Sequence, residues 1–370
     1  MNLSYWEIKS WLTNIDYAIV GSGIVGLNCA LHLKNRFPKA KILILERGML
    51  PQGASTKNAG FACFGSLSEL IGDLKTHSQE VVFKLVKKRI TGLHLLRTTL
   101  GDDHINFKQL GGYELFSKTD GLFEQCQSQQ FEINTLLKPL FKEDVFSFKP
   151  NTFGFENCHE HLGFNQFEGQ IDTGKMMEAL TNLVLSKGIK ILNNVLVEQF
   201  SEGNTSVNIK TNQFECSTNN LLIATNGFAS HLGIAEVKPA RAQVLITKPI
   251  DNLNIKGTFH LEEGYYYFRN IDNRILFGGG RNLDFKGEET TDLNQTKRIQ
   301  SKLEDLLKTT ILPHTPFDID QRWSGIMGVG GQKQPIVKQV SNTVFCGVRL
   351  GGMGVAIGSL IGKELADLIP

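Results

Sequence analysis

Residues 17–46, YAIVGSGIVGLNCALHLKNRFPKAKILILE, decide the fold class of this 370-residue chain. They begin with an apolar strand at 17–20, continue through a glycine turn and a helix, and end with an almost continuously apolar strand at 41–45. Such apolar strands are typical of a parallel sheet that is buried on both faces, and parallel neighbours need a crossover such as this helix. The stretch therefore predicts a right-handed β-α-β unit.

The glycines between the first strand and the helix follow the spacing G-x-G-x-x-G. Gly21 permits a tight turn, Gly23 lets the backbone approach a pyrophosphate, and Gly26 lets the helix pack closely on the sheet. The helix N-terminus offers free N–H groups to phosphates. Glu46 ends the second strand about 20 residues later, where a carboxylate accepts hydrogen bonds from both ribose hydroxyls. These features predict a dinucleotide site but leave NAD and FAD both open.

The pattern of alternating strands and helices ends near residue 238. Closely spaced strands between 238 and 277, with the Asp272-Asn273 pair as a turn, favour antiparallel pairing. A strand, a glycine loop and a helix end the chain. The other elements predicted are strands at 112–116, 146–148, 189–197 and 221–224, and helices at 172–187, capped by Asp172 or Thr173, and at 288–308.

Composition excludes several classes of protein. Hydrophobic residues make up 41% and charged residues 21%, as in ordinary globular domains, and the net charge of +2 gives no basic face for nucleic acid. The N-terminus lacks the basic region of a secretory signal, and no uncharged apolar run approaches the ~18 residues of a membrane span. We therefore expect a cytoplasmic chain without an integral membrane segment.

The six cysteines form no C-x-x-C pair, so no zinc site is indicated and free buried thiols are expected. The run Cys158-His159-Glu160-His161 contains potential metal ligands. Ligands this close together in a loop rarely make a closed site alone, so we expect a solvated loop and no metal. Cys63 is expected to be a small buried hydrophobic residue.

Motifs along nearly the full length resemble the D-amino-acid oxidase and glycine oxidase superfamily of FAD-dependent oxidoreductases. The motifs that carry the resemblance are RGMLPQGASTKNAGFACFGS (47–66), IDTGKMMEALTNLVLSKGIKILNNVLV (171–197), LLIATNGFAS (221–230), GYYYFRNIDNRILFGGGRN (264–282), RWSGIMGVGGQKQPIV (322–337) and FCGVRLGGMGVAIGS (345–359).

The resemblance implies an α/β fold in which an FAD-binding Rossmann-like domain of the glutathione-reductase type is interleaved with a mostly antiparallel β-sheet substrate domain. The FAD-binding domain would comprise 1–90, 168–235 and 328–370, and the substrate domain 91–167 and 236–327. Relatives that attach the flavin covalently use a cysteine, and none lies near the matching position, about Gly325. We therefore expect non-covalent FAD.

The same resemblance assigns residues to each part of the cofactor. The implied contacts are Gly21, Gly23, Ile24, Val25 and Gly26 at the pyrophosphate, Glu46 with Arg47 at the ribose, Ser55 and Thr56 at phosphate or ribityl, Asn58, Ala59, Gly60 and Phe61 at the ring, Val195 at the adenine, Ala224, Thr225 and Gly227 in the 221–230 motif, and Arg349, Leu350, Gly351, Gly352, Met353, Gly354 and Val355 at the pyrimidine.

The final glycine loop also has a physical rationale. Reduced flavin carries negative charge near N1 and the C2 carbonyl. N–H groups of Gly351, Gly352 and Gly354, together with the dipole of the helix that they open, would stabilise this charge as an oxyanion hole does.

The chain departs from this family at the substrate carboxylate. Many of these oxidases hold the carboxylate with an arginine in a W-x-G-L-R-P-like motif, and Met327 stands at that position here. Gly352 replaces a second arginine. Because methionine cannot replace a bidentate arginine, a simple α-amino acid is disfavoured as substrate. Arg269, Arg281 or Lys333 could supply a relocated charge, although arginines at strand ends more often serve surfaces or interfaces.

Three consecutive tyrosines lie on one predicted strand. Alternation places Tyr265 and Tyr267 on one face and Tyr266 on the other. Tyr265 best matches the substrate-facing tyrosine of the family, and sheet packing is the alternative interpretation.

The predicted reaction is hydride transfer to flavin N5 from a C–H bond next to nitrogen in an amine or amino-acid-like small molecule. Oxygen or an electron carrier would reoxidise the flavin. Three alternatives stay open: a 2-hydroxy-acid dehydrogenase, a flavin-dependent RNA-modifying enzyme, which the near-neutral charge disfavours, and a non-catalytic flavin-binding or sensor protein. The catalytic residues and the oligomeric state stay unknown at this stage.

Overall fold

The computed structural model describes residues 2–370. Its strands are β1 (Ile15–Val20), β2 (Ile42–Leu45), β3 (Phe61–Ala62), β4 (Gly112–Leu115), β5 (Phe146–Pro150), β6 (His161–Asn165), β7 (Gly169–Gln170), β8 (Lys190–Leu192), β9 (Val197–Glu202), β10 (Val207–Thr211), β11 (Glu215–Ile223), β12 (Lys238–Thr247), β13 (Thr258–Leu261), β14 (Tyr266–Ile271), β15 (Arg274–Gly279), β16 (Ile319–Val329), β17 (Ile336–Gln339) and β18 (Val344–Val348).

The helices are α1 (Tyr5–Glu7), α2 (Ile24–Arg36), α3 (Leu67–Leu74), α4 (Gln79–Leu100), α5 (Leu122–Phe141), α6 (Thr173–Ser186), α7 (Lys297–Leu306) and α8 (Gly354–Asp367). Shorter helical turns span Ile8–Leu12, Ala54–Thr56, Asn226–Leu232, Arg281–Leu283 and Leu307–Ile311. Within residues 2–370, no helix is both long and apolar enough to cross a membrane.

The first large sheet contains the β-α-β unit. Its strand order is β17-β18-β11-β1-β2-β8, and β10 and β9 extend it from β11. β1 lies parallel to both β2 and β11, with Val20 opposite Leu45 on one side and Ile223 on the other. Every residue of β2 is buried, which explains its continuous apolar sequence. The predicted crossover through α2 is confirmed.

The second large sheet has the order β16-β12-β15-β14-β13-β4-β6-β5 and is antiparallel except between β13 and β4. Asp272 and Asn273 have φ angles of 49° and 56° and connect β14 to β15, where Ile271 pairs with Arg274. Positive φ at both central residues is the signature of a two-residue hairpin turn. The predicted α/β fold with a largely antiparallel second sheet is confirmed.

Two predicted elements have different bounds in the structure. The strand expected at 189–197 is interrupted, because Asn194 adopts a φ of 59° between β8 and β9. The helix expected over 288–308 begins only at Lys297. Residues 288–296 are not helical. The buried Glu288 carboxylate, at the start of this segment, accepts hydrogen bonds from the Arg241 guanidinium at 2.8 Å.

The two sheets draw on different stretches of the chain. All strands of the first sheet lie within 1–90, 168–235 and 328–370, and those of the second lie within 91–167 and 236–329. The division into an FAD-binding and a substrate domain stays a prediction. α6 begins as predicted, because the Asp172 side chain accepts a hydrogen bond from the Lys175 N–H at 3.0 Å.

Candidate active site

One cavity of about 930 Å³ is lined by residues of both large sheets. This volume lies at the upper end of the range for small-molecule and cofactor sites, roughly 300–1,000 Å³. The carboxyl ends of β1 and β2 border it, as expected for ligand sites in parallel sheets. Residues of β12, β14 and β16 supply part of the wall from the second sheet.

The glycine turn has the geometry that its spacing predicts. Gly21 has a φ of +104°, in the region that favours glycine. A methyl group on Gly26 would overlap the carbonyl oxygen of Gly21, so α2 packs on the turn without space for any side chain. Gly21 and Gly23 line the cavity and Gly26 does not. The structure therefore gives Gly26 a packing position rather than a place on the cavity wall.

The N-terminus of α2 offers donors to an anion. The Ile24 N–H donates to the Ser55 hydroxyl at 2.9 Å, and no side chain caps the helix at Gly23. A phosphate oxygen could take the acceptor position that Ser55 holds. Thr56, by contrast, donates to the Pro51 carbonyl at 2.6 Å and does not line the cavity.

Glu46 is fixed at the opposite side of this turn. Its side chain is buried and accepts hydrogen bonds from the Ser22 N–H at 3.0 Å, the Ser22 hydroxyl at 2.8 Å and the Gly48 N–H at 3.0 Å. The Val195 N–H donates to the Glu46 carbonyl at 2.9 Å. Both residues line the cavity, so a carboxylate and an apolar side chain face it side by side, and their roles at a ribose and an adenine stay predictions.

A second fixed loop precedes β3. Gly60 has a φ of +74°, and a methyl group there would overlap the Ile171 carbonyl oxygen. The Asn58 side-chain oxygen accepts hydrogen bonds from the Gly60 N–H and from the Thr173 hydroxyl, each at 2.9 Å. The loop therefore presents its backbone to the cavity in one conformation.

The loop before α8 differs in one respect from the expectation. The Gly351 N–H donates to the Gly328 carbonyl at 3.0 Å, so it is not available to stabilise a reduced flavin. Within residues 2–370, the N–H groups of Gly352 and Gly354 have no protein acceptor. The donors that this loop and the α8 N-terminus can offer are thus fewer than predicted.

Most residues assigned to the cofactor line this cavity, and their contacts with FAD stay predictions. Gly26, Thr56 and Gly227 do not line it, and Gly227 instead packs against the Met327 backbone of β16. Those that do line it are Gly21, Gly23, Ile24, Val25, Glu46, Arg47, Ser55, Asn58, Ala59, Gly60, Phe61, Val195, Ala224, Thr225, Arg349, Leu350, Gly351, Gly352, Met353, Gly354 and Val355.

A dinucleotide fits this wall chemically. The Thr225 hydroxyl is buried in the free protein without a hydrogen-bond partner, as a group awaiting a ligand would be. The Arg47 guanidinium lies 3.6 Å from the Phe228 ring centroid, and both side chains line the cavity beside Glu46.

The candidate substrate residues separate into two groups. Tyr265, Tyr267, Arg281 and Met327 line the cavity, as does Lys333, which forms an ion pair with the buried Asp73 carboxylate. Burial raises the pKa of Tyr267 to about 12. Tyr266 lies in the core of the second sheet instead.

Arg269 does not line the cavity. Its side chain is buried beside Gly60, and burial lowers its pKa to about 10. The Nε atom has no hydrogen-bond partner. The structure therefore does not bring Arg269 together with the other substrate candidates.

Met327 and Gly352 meet across the cavity wall. A methyl group on Gly352 would lie 3.9 Å from the Met327 sulfur, in ordinary van der Waals contact. The two positions at which arginine is missing are therefore neighbours, and the surface that they share is apolar.

A buried pair without a predicted role is formed by His260, which lines the cavity, and Glu168 behind it. His260 Nε2 lies 2.6 Å from the Glu168 carboxylate, which also accepts a hydrogen bond from the Thr258 hydroxyl at 2.8 Å. Burial alone would lower the pKa of His260, but the Glu168 charge and hydrogen bond outweigh it and raise that pKa to about 9. The sequence contains an indication of this pair, because Thr258 and His260 alternate with apolar residues along one strand.

Cys63 completes a cluster with this pair. Its sulfur, a Glu168 oxygen and a His260 nitrogen all lie within 4.8 Å of one another, the only such group of potential metal ligands in the part of the chain that the structure describes. Burial raises the pKa of the Cys63 thiol well above its usual value. Cys63 is buried as predicted, but its surroundings are polar rather than apolar.

Arg89 is a further cavity residue without a sequence assignment. It lies in α4 and is buried, and its Nη1 donates to the Phe64 carbonyl at 2.7 Å. The signal for it was an arginine in line with the buried Val82, Leu85 and Val86 at helical spacing.

A family model and a curated relative match nearly the whole chain. The family model described as "FAD dependent oxidoreductase" (DAO) matches residues 16–368. The probable oxidoreductase OrdL of Haemophilus influenzae is 20% identical over 392 aligned positions, covering 97% of this chain and 84% of that protein.

Solved structures share the fold at low sequence identity. Glycine oxidase from Geobacillus kaustophilus superposes with a TM-score of 0.76 at 18% identity, covering 96% of this chain and 94% of that chain. L-proline dehydrogenase from P. horikoshii gives a TM-score of 0.71 at 18% identity, covering 96% and 93%. L-amino acid deaminase from Proteus vulgaris gives 0.73 at 14% identity, covering 96% and 93%.

Proposed function

Because the chain belongs to the DAO family of FAD-dependent oxidoreductases, we propose that it oxidises a C–N bond in an amine or amino-acid-like substrate. We propose further that the substrate carries no carboxylate held beside the reacting carbon at Met327 and Gly352. Family membership makes the chain an oxidoreductase with FAD as its cofactor, so the resemblance read from its motifs is confirmed.

When bound, FAD would supply the hydride acceptor at N5, and the imine product would be hydrolysed by water. The protein's own contribution is to bind and orient. Ile24, Ser55 and Glu46 would hold the pyrophosphate and ribose, and the fixed loop of Asn58 and Gly60 would support the ring. Free N–H groups at Gly352 and Gly354 would favour negative charge at the pyrimidine end.

The observation that carries the substrate proposal is the contact between Met327 and the Gly352 position. A carboxylate placed on this apolar surface would lose its hydration without gaining a charged partner, which costs several kcal/mol in a desolvated site. Tyr265 and Tyr267 supply the neighbouring aromatic surface. These features favour a substrate whose reacting carbon bears an amine and whose polar groups lie elsewhere.

The test is anaerobic bleaching of the flavin absorbance by a panel of amines, ω-amino acids, α-amino acids and 2-hydroxy acids. We expect amines or ω-amino acids to bleach it, and glycine, sarcosine and D-alanine to act slowly or not at all. Rapid bleaching by glycine or D-alanine would overturn the substrate proposal. Bleaching by 2-hydroxy acids alone would identify a hydroxy-acid dehydrogenase instead.

A further inference from the structure

We propose that His260 and Arg89 form a subsite for an anionic group of the substrate, a carboxylate being the simplest. This subsite would replace the arginine clamp missing at Met327 and Gly352. The proposal rests on C–N oxidation for the choice of substrate, but the binding that it predicts is measurable without any turnover.

His260 offers a free polar atom to the cavity. Alternation along β13 puts Thr258 and His260 on the cavity side of the sheet and Phe259 in the core. The Nε2 atom of His260 is paired with the Glu168 carboxylate. Within residues 2–370, the other ring nitrogen, Nδ1, has no hydrogen-bond partner. The ring lines the cavity while the side chain is only 6% exposed. A protonated ring held in this way donates one hydrogen bond to Glu168 and keeps one for a ligand.

Arg89 is a buried cation without a carboxylate partner. No Asp or Glu oxygen of the described chain lies within 4.0 Å of its guanidinium, which makes one hydrogen bond, from Nη1 to the Phe64 carbonyl. The Nε atom is buried and unpartnered, and Nη2 has no acceptor. The Glu69 and Asp73 charges act on Arg89 from beyond 4.0 Å, and an anionic ligand would give its guanidinium the direct partner that it lacks.

The nearby carboxylates already have donors of their own. Glu69 accepts a hydrogen bond from the Ser66 N–H at 2.8 Å, and Asp73 pairs with Lys333. Glu114 accepts one from the Ser66 hydroxyl at 2.9 Å, and burial raises its pKa, which favours its neutral form. Arg89 and the Nδ1 atom of His260 therefore keep donors that none of these carboxylates occupies, and Arg281 and the Tyr267 hydroxyl are further donors on the cavity wall.

The proposed subsite lies apart from the surface formed by Met327 and Gly352. The Cys63 sulfur lies within 4.8 Å of the His260–Glu168 pair and 3.9 Å from the Met353 sulfur. Met353 in turn follows Gly352, which adjoins Met327. An anionic group at His260 and Arg89 would thus be separated from the Met327 surface by two intervening side chains. Such a substrate carries its acidic group away from the reacting carbon.

The test is equilibrium binding of butyrate to the FAD-loaded protein, followed by the change in flavin absorbance, with butyramide as the uncharged counterpart. We expect butyrate to bind the wild type about tenfold or more tightly than butyramide, as hydrogen bonds to charged groups predict. His260→Gln and Arg89→Gln should each weaken butyrate binding by about tenfold and leave butyramide unchanged. Lys87→Gln, which removes an exposed neighbouring cation of α4, is the matched control and should change neither.

The pH dependence gives a second measurement. The charged groups that act on His260 are Glu168, Glu69 and Glu114; Cys63 lies beside the His260–Glu168 pair, and the Arg89 charge acts in turn on Cys63. Since the pKa of His260 is raised to about 9, butyrate affinity should be constant near neutral pH and fall as the pH rises through about 9. Glu168→Gln removes the charge that raises this pKa and should move the fall to lower pH. This profile remains decisive if His260→Gln loses its flavin.

Two results would overturn the subsite. Equal affinities for butyrate and butyramide, with no fall near pH 9, would exclude a charged donor pair. A stoichiometric metal ion in the purified protein, lost in Cys63→Ser, would show that Cys63, Glu168 and His260 bind a cation instead.

Reduction by n-butylamine without a preference for butyrate would overturn the subsite alone. A preference for butyrate without reduction by any amine would support the subsite and overturn the proposed reaction.

Discussion

The two ends of the cavity are built differently. At the dinucleotide end, around Gly21, Gly23 and Glu46, the surface is mostly backbone, and its shape depends on Gly21 and Gly26, where a larger residue would overlap neighbouring backbone. At the end proposed to bind the substrate, around Arg89, His260 and Met327, the surface consists of side chains that come from distant parts of the chain.

The fold determines the backbone shape of the first end, whereas the side chains of the second end can differ between members of one family. Backbone shape at a strand–turn–helix junction is shared by any chain that binds a dinucleotide there. Side chains on a formed sheet can be exchanged without altering the fold, so substrate preference varies at those positions. Met327, Gly352, His260 and Arg89 are positions of the second kind, since their side chains rather than the backbone shape that wall of the cavity.

The largest expected effects come from the glycines of α2. Gly26→Ala should lower the melting temperature of the FAD-free protein by several degrees, because overpacking typically costs about 1–3 kcal/mol. Gly23→Val should abolish FAD binding, since its side chain would fill the pyrophosphate position. A methyl group at Gly23 meets only the Ser55 hydroxyl, at 2.8 Å, so that variant should keep more of its stability. Thermal unfolding and flavin content distinguish the two, and stoichiometric flavin in Gly23→Val would refute the assigned phosphate loop.

Glu46→Gln should weaken FAD binding by about 1.5–3 kcal/mol, or roughly 10- to 150-fold, because one charged acceptor is lost. The hydrogen bonds from Ser22 and Gly48 show that the carboxylate also orders the turn, so slower FAD association is expected as well. Glu198→Gln, at an exposed glutamate that also lines the cavity, is the matched control. Equal FAD affinities in a titration of both variants would contradict the ribose role.

Met327→Arg should raise kcat/KM for glycine or D-alanine by about tenfold or more if the surrounding geometry is retained, since a bidentate arginine recognises a carboxylate. Met327→Leu preserves the apolar volume and should not produce this gain. Anaerobic stopped-flow reduction measures both variants. No gain with arginine, in a protein of unchanged flavin content, would mean that the carboxylate of small amino acids is excluded by something other than the missing charge.

The smallest effect is expected at Arg269. Because this arginine is buried beside Gly60 and does not line the cavity, Arg269→Met should leave KM for the best amine substrate within about twofold. Burial already disfavours its charge, so stability should change little. A large rise in KM with unchanged thermal stability would instead establish Arg269 as a relocated clamp.

The sequence predicted the dinucleotide end in residue-level detail because its determinants are local. Gly21, Gly26 and Glu46 lie within one short β-α-β stretch, and their spacing reflects one turn and one crossover. The prediction that the Gly351 N–H is free for the flavin was wrong, because this N–H donates a hydrogen bond to the Gly328 carbonyl in a tertiary contact. The hairpin turn at Asp272-Asn273 was predictable for the same reason, because it depends on the local preference of these two residues for positive φ angles.

The substrate end could not be predicted in the same way. His260 meets Glu168 only because β13 pairs with β4 in parallel and brings residues 92 apart into contact. Arg89 reaches the cavity through the packing of α4, which no local motif encodes. Polar residues on apolar strand or helix faces were the available signal, but they identify candidates without identifying their partners.

The most direct test of the central claim is the stoichiometry of a single anaerobic turnover. The flavin-loaded protein is mixed with an amine that bleaches it, and the small-molecule products are quantified. Oxidation of a C–N bond should yield one carbonyl compound and one ammonia, or one shortened amine, for each flavin reduced. Full bleaching by a 2-hydroxy acid, with no nitrogen released from any amine tested, would contradict C–N oxidation as the reaction of this enzyme.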